Sequence, residues 1–403
     1  MTLYADVHVL TPVGPNNLNR SETGAPKTSV FGGKTRHRLS SQSQKYAVRG
    51  DFIDTYGDEL TSLRSRSLPS LIALRLQEED PSLSVEDARK LAAYSLAHLN
   101  KGNTDKNVKA VTKAIEEAVS KNAEYKPELP ATFQISDNQA RAFAKAVTSA
   151  RANGVDFLNG EVVNDKDLIE ELQETIRERN TADVLLFGRM HASNNSLSVD
   201  AACQVAHAIG VSEYAGDVDA FIAADEISTR HSELADAIRE ARGDDKGGAD
   251  MPPTDKGISA GTMYRYANVN ATALAASTGS KGDAAGIIGK FIKSFSTVLP
   301  GGAQNSHAAR SPFSTLVVTL RTTAPMSYVG AFEVPVDNAM EASKALSAFA
   351  KNTSDMYGEP VGEKVFALSL YDRDGIVEAL GADGTVSTLP ELIDAVAAFI
   401  KAS

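Results

Sequence analysis

Strand-like segments on both sides of a long helix-forming block constrain the fold of this 403-residue chain more than any other feature. Residues 3–10 alternate polar and apolar side chains, which is typical of a strand, and residues 263–269 and 315–320 are also predicted strands. Between residues 57 and 181, Ala, Leu, Glu, Lys and Arg recur at helical spacing, with breaks at Pro81 and Pro127. The chain is therefore predicted to be an α+β protein in which a helical insertion interrupts a sheet.

The remaining segments extend this order of elements. A helix is predicted from residue 41, a buried strand over residues 184–187, another helix over 199–209 and an amphipathic helix over 284–298. With insertions set aside, the order is βαββαβ, which the ferredoxin-like or RRM-like core uses. Sheets of that core commonly bind single-stranded RNA. A helix, a strand and a final helix are predicted over residues 338–356, 364–370 and 389–401.

Charge is distributed unevenly along the chain. The net charge is −11, yet the first 50 residues carry seven Lys and Arg against two acids, and the rest carries 34 against 50. A basic end on an acidic body is expected of a protein that binds a polyanion along one face and repels it elsewhere. Chance clustering of solvated charge is the alternative. Residues 213–257 are an acidic excursion that is predicted to be partly mobile.

The single cysteine, Cys203, excludes an intramolecular disulfide and favours a reducing compartment. The first ten residues lack the basic and apolar regions of a signal peptide and are instead predicted to form a strand. No run of about 18 apolar residues is present, so no membrane span is predicted. We therefore expect a cytoplasmic protein.

The most concentrated positive charge lies at residues 31–49, which read FGGKTRHRLSSQSQKYAVR. Lys34, Arg36 and Arg38 alternate, so in a strand all three cations leave the same face and could follow a row of phosphates. The segment before them, residues 11–33, is predicted to be a loop whose small residues let the backbone approach a ligand. That loop contributes Asn19, Arg20 and Lys27.

A helix start is predicted directly after these cations. Ser41 followed by Gln44 matches a capping box. The free N–H groups of a helix N-terminus bind anions, so this start would add to the basic strand. Lys45 and Arg49 lie four residues apart and share a face of the helix, which extends the basic surface.

Motifs for catalysis or cofactor binding are not found in the sequence. Gly33-Lys34-Thr35 resembles the end of a P-loop, but Thr28 stands where that motif needs its first glycine. Cys203 and His207 are four residues apart on the predicted helix, a spacing that a metal could use. Two further ligands are missing, so a core pair is the preferred interpretation. We predict no metal, no cofactor and no enzymatic activity.

Several motifs together resemble the CasC/Cse4 family, the backbone subunits of type I-E CRISPR Cascade. The first motif combines Leu18-Asn19-Arg20, Phe31-Gly32-Gly33-Lys34 with Arg36 and Arg38, and Ser40-Ser41-Gln42-Ser43 with Lys45. Two later segments follow in the order found in the family, Gly188-Arg189-Met190 and residues 263–270, which read MYRYANVN. The resemblance covers most of the chain, and its first motif is highly specific.

The resemblance implies a hand-like organisation with an RRM-like palm, helical fingers and a thumb. The palm would comprise residues 1–56, 182–212 and 262–403, the fingers residues 57–181 and the thumb residues 213–261. Copies of such a subunit assemble head to tail along a CRISPR guide RNA with other Cascade subunits, and target DNA pairs with the guide. The resemblance therefore implies a non-catalytic, crRNA-binding scaffold in antiviral defence.

The resemblance also implies which residues contact nucleic acid. The guide contacts implied by the resemblance are Asn19, Arg20, Lys27, Lys34, Arg36, Ser40, Gln42, Lys45, Arg49, Arg189 and Met190. The strand and capping arguments add Arg38, Ser41 and Gln44 as predicted contacts. Cations and a helix N-terminus bind phosphates without reading bases, and a methionine can insert between bases. Arg141, Lys145 and Arg151 are implied to contact target DNA, whereas their residue pattern alone indicates a solvated helix face.

Two other functions stay open. A metal-dependent ribonuclease, as among the related type III backbone proteins, would use an acid in the basic loop, where Glu22 is the only one. One carboxylate without a partner in the sequence is more simply interpreted as a solvated loop residue. The other alternative is a structural protein that binds no nucleic acid.

Overall fold

In a computed structural model, the described residues form a central antiparallel sheet of nine strands. The structure describes residues 1–57, 60–99, 104–191, 194–219, 236–237, 240, 256–358 and 360–403. The strands are β1 (Tyr4–Asn16), β2 (Thr28–Phe31), β3 (Lys34–Leu39), β4 (Leu63–Ser65), β5 (Phe133–Ile135), β6 (Cys203–Val205), β7 (Ala208–Gly210), β8 (Gly216–Asp219), β9 (Lys256–Asn270), β10 (Thr315–Arg321) and β11 (Lys364–Ser369). The main sheet has the order β11-β10-β1-β9-β7-β3-β2, with β6 and β8 also paired to β9, whereas β4 and β5 form a separate two-stranded sheet.

Helices cover both faces of the main sheet and form much of the block between residues 57 and 181. In the described part of the chain they are α1 (Ser41–Tyr56), α2 (Leu68–Glu79), α3 (Val85–Ala97), α4 (Thr104–Ser120), α5 (Asp137–Ala152), α6 (Lys166–Arg177), α7 (Ala182–Phe187), α8 (Ala271–Thr278), α9 (Lys281–Thr297), α10 (Gln304–His307), α11 (Ala339–Tyr357), α12 (Arg373–Leu380) and α13 (Leu389–Ala402).

The two faces of the sheet have separate hydrophobic cores. Strands alternate their side chains between faces, so Val7 and Val9 of β1 pack in one core while Leu10 packs in the other. In β9, Tyr264 and Tyr266 are buried in the second core, as the sequence interpretation of these tyrosines as core residues predicted. Arg265 points to the opposite face, where its guanidinium lies 4.5 Å from the centroid of the Phe295 ring.

The predicted amphipathic helices are confirmed. On the first face of the sheet, α9 begins after Ser280, whose side chain caps the Asp283 N–H, and its apolar residues enter the core with those of α1 and α13. Helix α13 begins with a capping box made by Thr388 and Glu391. On the second face, α11 and α12 pack over β1, β10 and β11. Helix α11 begins directly after its N-cap Asn338, which agrees with the helix predicted over residues 338–356.

The block between residues 57 and 181 has a core of its own. Helices α2, α3, α5 and α6 bury their apolar sides together with Phe133 and Ile135 of β5. Helix α5 starts at a capping box in which Ser136 and Gln139 bond reciprocally. The prediction of helices in this block is confirmed. The division of the chain into palm, fingers and thumb stays a prediction.

Three local predictions are wrong. Residues 184–187 lie in helix α7 rather than a strand, and residues 203–205 and 208–210 form β6 and β7 rather than a helix. Apolar runs this short fit either structure by periodicity, so tertiary packing decides between them. The predicted loop over residues 11–33 contains the end of β1 and all of β2. The hairpin of β2 and β3 turns at Gly32 and Gly33, both with positive φ, which is a signal of a turn between strands.

The α+β fold class predicted from the sequence is confirmed. Of the predicted excursion over residues 213–257, the structure gives β8 and the start of β9, while residues 220–235, 238–239 and 241–255 lie outside the described residues. Within the described residues, no helix combines the length and apolar character that crossing a bilayer requires.

Candidate nucleic-acid interface

The start of α1 is tied to the loop before β2. Its N-cap is Ser40, whose Oγ accepts a hydrogen bond from the Ser43 N–H at 3.2 Å. The Ser40 N–H donates to Asn19 Oδ1 at 2.9 Å, so Asn19 fixes the loop against the helix start. The predicted capping box of Ser41 and Gln44 is therefore wrong, because the cap lies one residue earlier and Gln44 is buried.

Gln44 anchors the helix to the sheet instead of facing a ligand. Its Nε2 donates to the Ala206 carbonyl at 2.9 Å, and its Oε1 accepts from Arg265 Nε at 3.2 Å. Burial lowers the pKa of Arg265 to about 9. Gln44 was predicted as a nucleic-acid contact, and its burial contradicts that role. Its contacts place the N-terminus of α1 beside the link between β6 and β7.

The N-terminus of α1 is positively polarised and accessible. The helix has 16 residues and no acidic side chain in its first turn, so nothing there offsets its dipole. Gln42 is exposed, and the Ser41 hydroxyl donates to its Oε1 at 3.3 Å. Lys45 lies one turn further along, with its Nζ 5.6 Å from the centroid of the Phe187 ring. This arrangement suits an anion.

Two cationic side chains and a histidine lie next to this helix start. They belong to Lys27, Arg38 and His207, and we call these three residues the basic cluster. The Lys27 carbonyl accepts from the Arg38 N–H at 2.8 Å. The Arg38 side chain donates to the Thr28 carbonyl at 3.2 Å and lies 3.0 Å from His207 Nδ1. Burial lowers the pKa of His207, and the charges of Arg38 and Lys27 lower it further.

The outer cations of the predicted site are Arg20 and Lys34. Arg20 is exposed in the loop before β2, where its backbone bridges to Pro26. Lys34, at the start of β3, lies 3.1 Å from Glu213, and both side chains are about half exposed. Exposed ion pairs of this kind are weak, so Lys34 can exchange Glu213 for another anion at little cost.

Arg36 is not part of an exposed row of cations, which corrects the prediction for β3. It is fully buried, and its guanidinium donates to the carbonyls of Gly210, Val211, Phe332 and Glu333 at 2.8 to 3.2 Å. Burial lowers its pKa. The face of β3 that carries Arg36 is covered at this point by residues 210–211 and 332–333. Arg36 therefore fixes the hairpin of β2 and β3 to the body of the protein.

Arg49, predicted as a guide contact, makes structural contacts and is partly buried. Its Nε lies 3.0 Å from Oδ2 of Asp183, a fully buried carboxylate at the start of α7. Its guanidinium also donates to the Ser62 carbonyl at 3.0 Å. Losing the arginine would leave a buried charge without its counter-ion, which is costly. Arg49 therefore joins α1 to α7 and to the segment before β4.

Arg189 follows the same pattern. Its side chain is buried and donates to the carbonyls of Leu197, Gln134 and Ile176 at 2.9 to 3.3 Å, which contradicts the prediction that it contacts the guide. Burial lowers its pKa to about 10. Arg189 thereby connects the segment after α7 to β5 and α6.

Met190, the next residue, has the opposite environment and is 83% exposed. It lines a cavity of about 540 Å³ together with Arg64, Gln134, Phe187 and Arg189. Phe187 is the ring that Lys45 contacts, so this cavity adjoins the start of α1. An exposed methionine beside a cavity of this volume is suited to contact an unstacked base.

The three cations of α5 lie on a separate surface. Arg141 pairs with Asp137 and Glu78, and Arg151 pairs with Asp80. The ion pairs with Asp137 and Glu78 raise the pKa of Arg141. Lys145 lies in a groove of about 620 Å³ whose other charged residues are Glu79, Arg141, Glu171, Glu174, Glu178 and Arg179. The structure thus places these cations among acids.

Groups of acidic, histidine and cysteine side chains that could bind a metal are absent from the part of the chain that the structure describes. The predicted pair of Cys203 and His207 is not formed on a helix, since the two residues lie in and after β6. Cys203 is buried, and burial raises the pKa of its thiol to about 12. His207 is exposed, which contradicts its interpretation as a core residue.

Comparison with known proteins places the chain in a family. A family model described as CT1975-like protein matches residues 5–395. The chain belongs to the CT1975-like protein family. It is 26% identical, with a TM-score of 0.76, to a chain of "CRISPR RNA-guided surveillance complex, pre-nicking", over 98% of this chain and 100% of that one. A second chain, from "CRISPR RNA-guided surveillance complex", is 22% identical with a TM-score of 0.68 over 98% and 99% of the two lengths, and shows the fold alone. No curated protein gives a match.

These matches confirm the resemblance that the sequence motifs indicated, at the level of a Cascade-type CRISPR-associated protein. In this CT1975-like protein, the predicted residues that come together at the start of α1 are Asn19, Lys27, Arg38, Ser40, Ser41, Gln42 and Lys45. Met190 lies beside them, whereas Arg36, Gln44 and Arg189 are buried and Arg49 is partly buried in an ion pair with Asp183.

Two residues of the candidate interface were missed from the sequence. His207 belongs to the basic cluster, and Arg64 is exposed at the cavity of Met190. A lone histidine and a lone arginine carry no motif. His207 follows a short segment of strand-forming residues, and this position could have indicated the end of a strand, where functional side chains are often exposed.

Proposed function

We propose that the protein is a non-catalytic, guide-RNA-binding backbone subunit of a type I-E CRISPR Cascade surveillance complex that acts in the cytoplasm. Copies of the chain would assemble head to tail along the guide, together with other Cascade subunits, and present it for pairing with target DNA. The RRM-like palm, the fingers and the thumb belong to this proposal.

The observation that carries the proposal is the position of the basic cluster at the N-terminus of α1. The capped helix start, with Asn19 bonded to Ser40, faces the same region as Lys27, Arg38 and Lys45. Such a surface binds backbone phosphates and makes no demand on base identity. Because the bases are not read, they stay available for pairing, as a guide-holding subunit requires.

The distribution of charge supports the proposal as well. The net charge is −11 although the first 50 residues are basic, so a polyanion is attracted to one surface and repelled elsewhere. The relatives of known structure come from CRISPR RNA-guided surveillance complexes. Met190, exposed beside the cavity at Phe187, supplies an apolar group for an unstacked base at the same surface.

Binding to single-stranded RNA tests the proposal. A variant with Lys27→Ala, Lys34→Ala and Lys45→Ala should bind at least about a hundredfold more weakly. The slope of log affinity against log salt should become less steep by about two, because each phosphate that loses its cation keeps its counterions on binding. Fluorescence anisotropy over a range of KCl concentrations measures both quantities. The matched control replaces three exposed lysines elsewhere, Lys121, Lys351 and Lys401. Equal loss in the two variants would show general charge attraction and contradict the proposed surface.

The absence of catalysis is part of the proposal and has its own test. Glu22 is exposed in the loop before β2, the position that the ribonuclease alternative would use. Complex assembled with guide RNA is incubated with complementary RNA and Mg²⁺, and the products are separated by gel. We expect intact RNA. Cleavage at regular spacing that a Glu22→Gln variant abolishes would establish the ribonuclease instead.

A further inference from the structure

The hydrogen-bonding state of His207 follows from its neighbour. Arg38 has only donor groups and stays charged at all ordinary pH values. One of its terminal nitrogens lies 3.0 Å from His207 Nδ1, so Nδ1 must be the acceptor of that hydrogen bond. The imidazole is therefore neutral and carries its proton on Nε2.

The surroundings of His207 favour the same state. Burial, Arg38 and Lys27 all lower the pKa of the ring, so two cations and partial desolvation oppose a charge there. Among the described residues, Nε2 has no hydrogen-bond partner and the side chain is exposed. The basic cluster thus presents one oriented, neutral N–H donor beside two cations.

The position of His207 relates this donor to the helix start. It follows Ala206, whose carbonyl accepts from Gln44 of α1, and precedes Ala208, which pairs with Leu39 directly before the Ser40 cap. A polyanion lying across Lys27, Arg38 and the α1 N-terminus passes the ring.

We infer that His207 is a further guide contact, a neutral imidazole that donates its Nε2–H to an oxygen of the RNA backbone. The inference rests on the proposed function and assigns to this site a contact of a different kind. Lys27 and Arg38 attract phosphates at a distance and are salt-sensitive, whereas a neutral donor fixes the position of the strand without releasing counterions. The acceptor is a phosphate oxygen or a ribose 2′-hydroxyl.

The experiment compares His207→Ala, His207→Gln and Lys27→Ala in the full-length chain, using a labelled single-stranded RNA that holds a single subunit. His207→Ala should bind about tenfold more weakly, because a hydrogen bond to the backbone is lost, with the salt slope of the parent. His207→Gln, whose amide still donates, should recover most of the affinity. Lys27→Ala should instead make the salt dependence less steep, reducing the magnitude of the slope by about 0.7, the value for one phosphate contact on a single strand.

Two results would overturn the inference. An unchanged affinity of His207→Ala would mean that the ring does not contact RNA, and a slope lowered as in Lys27→Ala would mean that it acts as a cation. Parent protein that fails to bind RNA would instead refute the proposed function itself. Repeating the measurement with DNA of the same sequence identifies the acceptor, since a loss on RNA alone indicates the 2′-hydroxyl and a loss on both indicates phosphate.

Discussion

Helix α5 and the edge formed by β3 and the start of α1 are both basic in sequence, but their cations have different partners. On α5, Arg141 pairs with Asp137 and Glu78, and Arg151 pairs with Asp80. At the edge, Arg38 donates to a carbonyl and an imidazole. A phosphate that approaches α5 has to displace carboxylates, whereas at Arg38 it meets a cation with neutral partners. The chemistry of the partners, and not the number of cations, distinguishes a binding surface from a solvated face.

A second contrast, in burial, exists within a single strand. Arg36 and Arg38 are two residues apart on β3, yet Arg36 is enclosed by four carbonyls and Arg38 is partly exposed. Alternation correctly places both on one side of the strand. Whether that side is covered depends on residues 210–211 and 332–333, which are far away in the chain.

The largest expected effect tests this contrast within β3. Arg36→Ala should lower the free energy of unfolding by about 3 kcal/mol, because buried carbonyls lose their donor. Arg38→Ala should lower it by less than about 0.5 kcal/mol, since the side chain is near the surface. Urea denaturation followed by circular dichroism measures both. If both variants lost a similar free energy of unfolding, Arg36 would not stabilise the fold more than Arg38 does.

A smaller effect is expected from removing the acids that pair with α5. Glu78→Gln combined with Asp80→Asn removes a carboxylate partner from each of Arg141 and Arg151, so RNA affinity should rise about threefold through non-specific attraction. Arg141→Ala combined with Arg151→Ala in the parent should change RNA affinity by less than about twofold, because these cations are already paired. Anisotropy titrations at low salt compare the variants. A clear loss in the double alanine variant would place α5 in the RNA-binding surface and remove the distinction between the two regions.

The smallest effect is expected at Lys34, where the edge most resembles α5 because this cation also has an acidic partner. Glu213→Gln should change the free energy of unfolding by less than about 0.5 kcal/mol, as for other exposed pairs. RNA affinity should rise slightly, since Lys34 no longer has an acid beside it. Lys34→Ala in the same background provides the control, because it should cancel that gain. A stability loss well above this range would show that the pair holds the hairpin of β2 and β3 in place.

Long periodic segments could be predicted from the sequence, and short ones could not. The strands β1, β9 and β10 and the helices α9, α11 and α13 were found because their patterns extend over many residues. Residues 184–187 and 199–209 were assigned the wrong structure. The first is a run of four apolar residues that satisfies both periodicities, and the second contains two strands of only three residues each. Their structure depends on packing against β9 and α1.

The candidate site was predictable in its location but only partly in its members. The motif at residues 31–49 indicated the helix start and Lys45, and the loop before it indicated Asn19 and Lys27. The structural contacts of Arg36, Arg49 and Arg189 could not be predicted, because their partners lie at distant positions in the sequence. His207 was missed for the same reason, since its proximity to Arg38 arises only from the pairing of β3 with β7.

The contacts of Arg36 have a consequence for how the chain matures during synthesis. The hydrogen bond from Arg36 to Glu333 spans 297 positions in the sequence. β3 leaves the ribosome early, but its buried arginine acquires all its acceptors only when residue 333 has been made. Long-range contacts of this kind form late in folding. A nascent chain that ends before residue 332 therefore lacks two of the four acceptors of Arg36, so the hairpin of β2 and β3 is expected to become fixed to the body of the protein only late in synthesis.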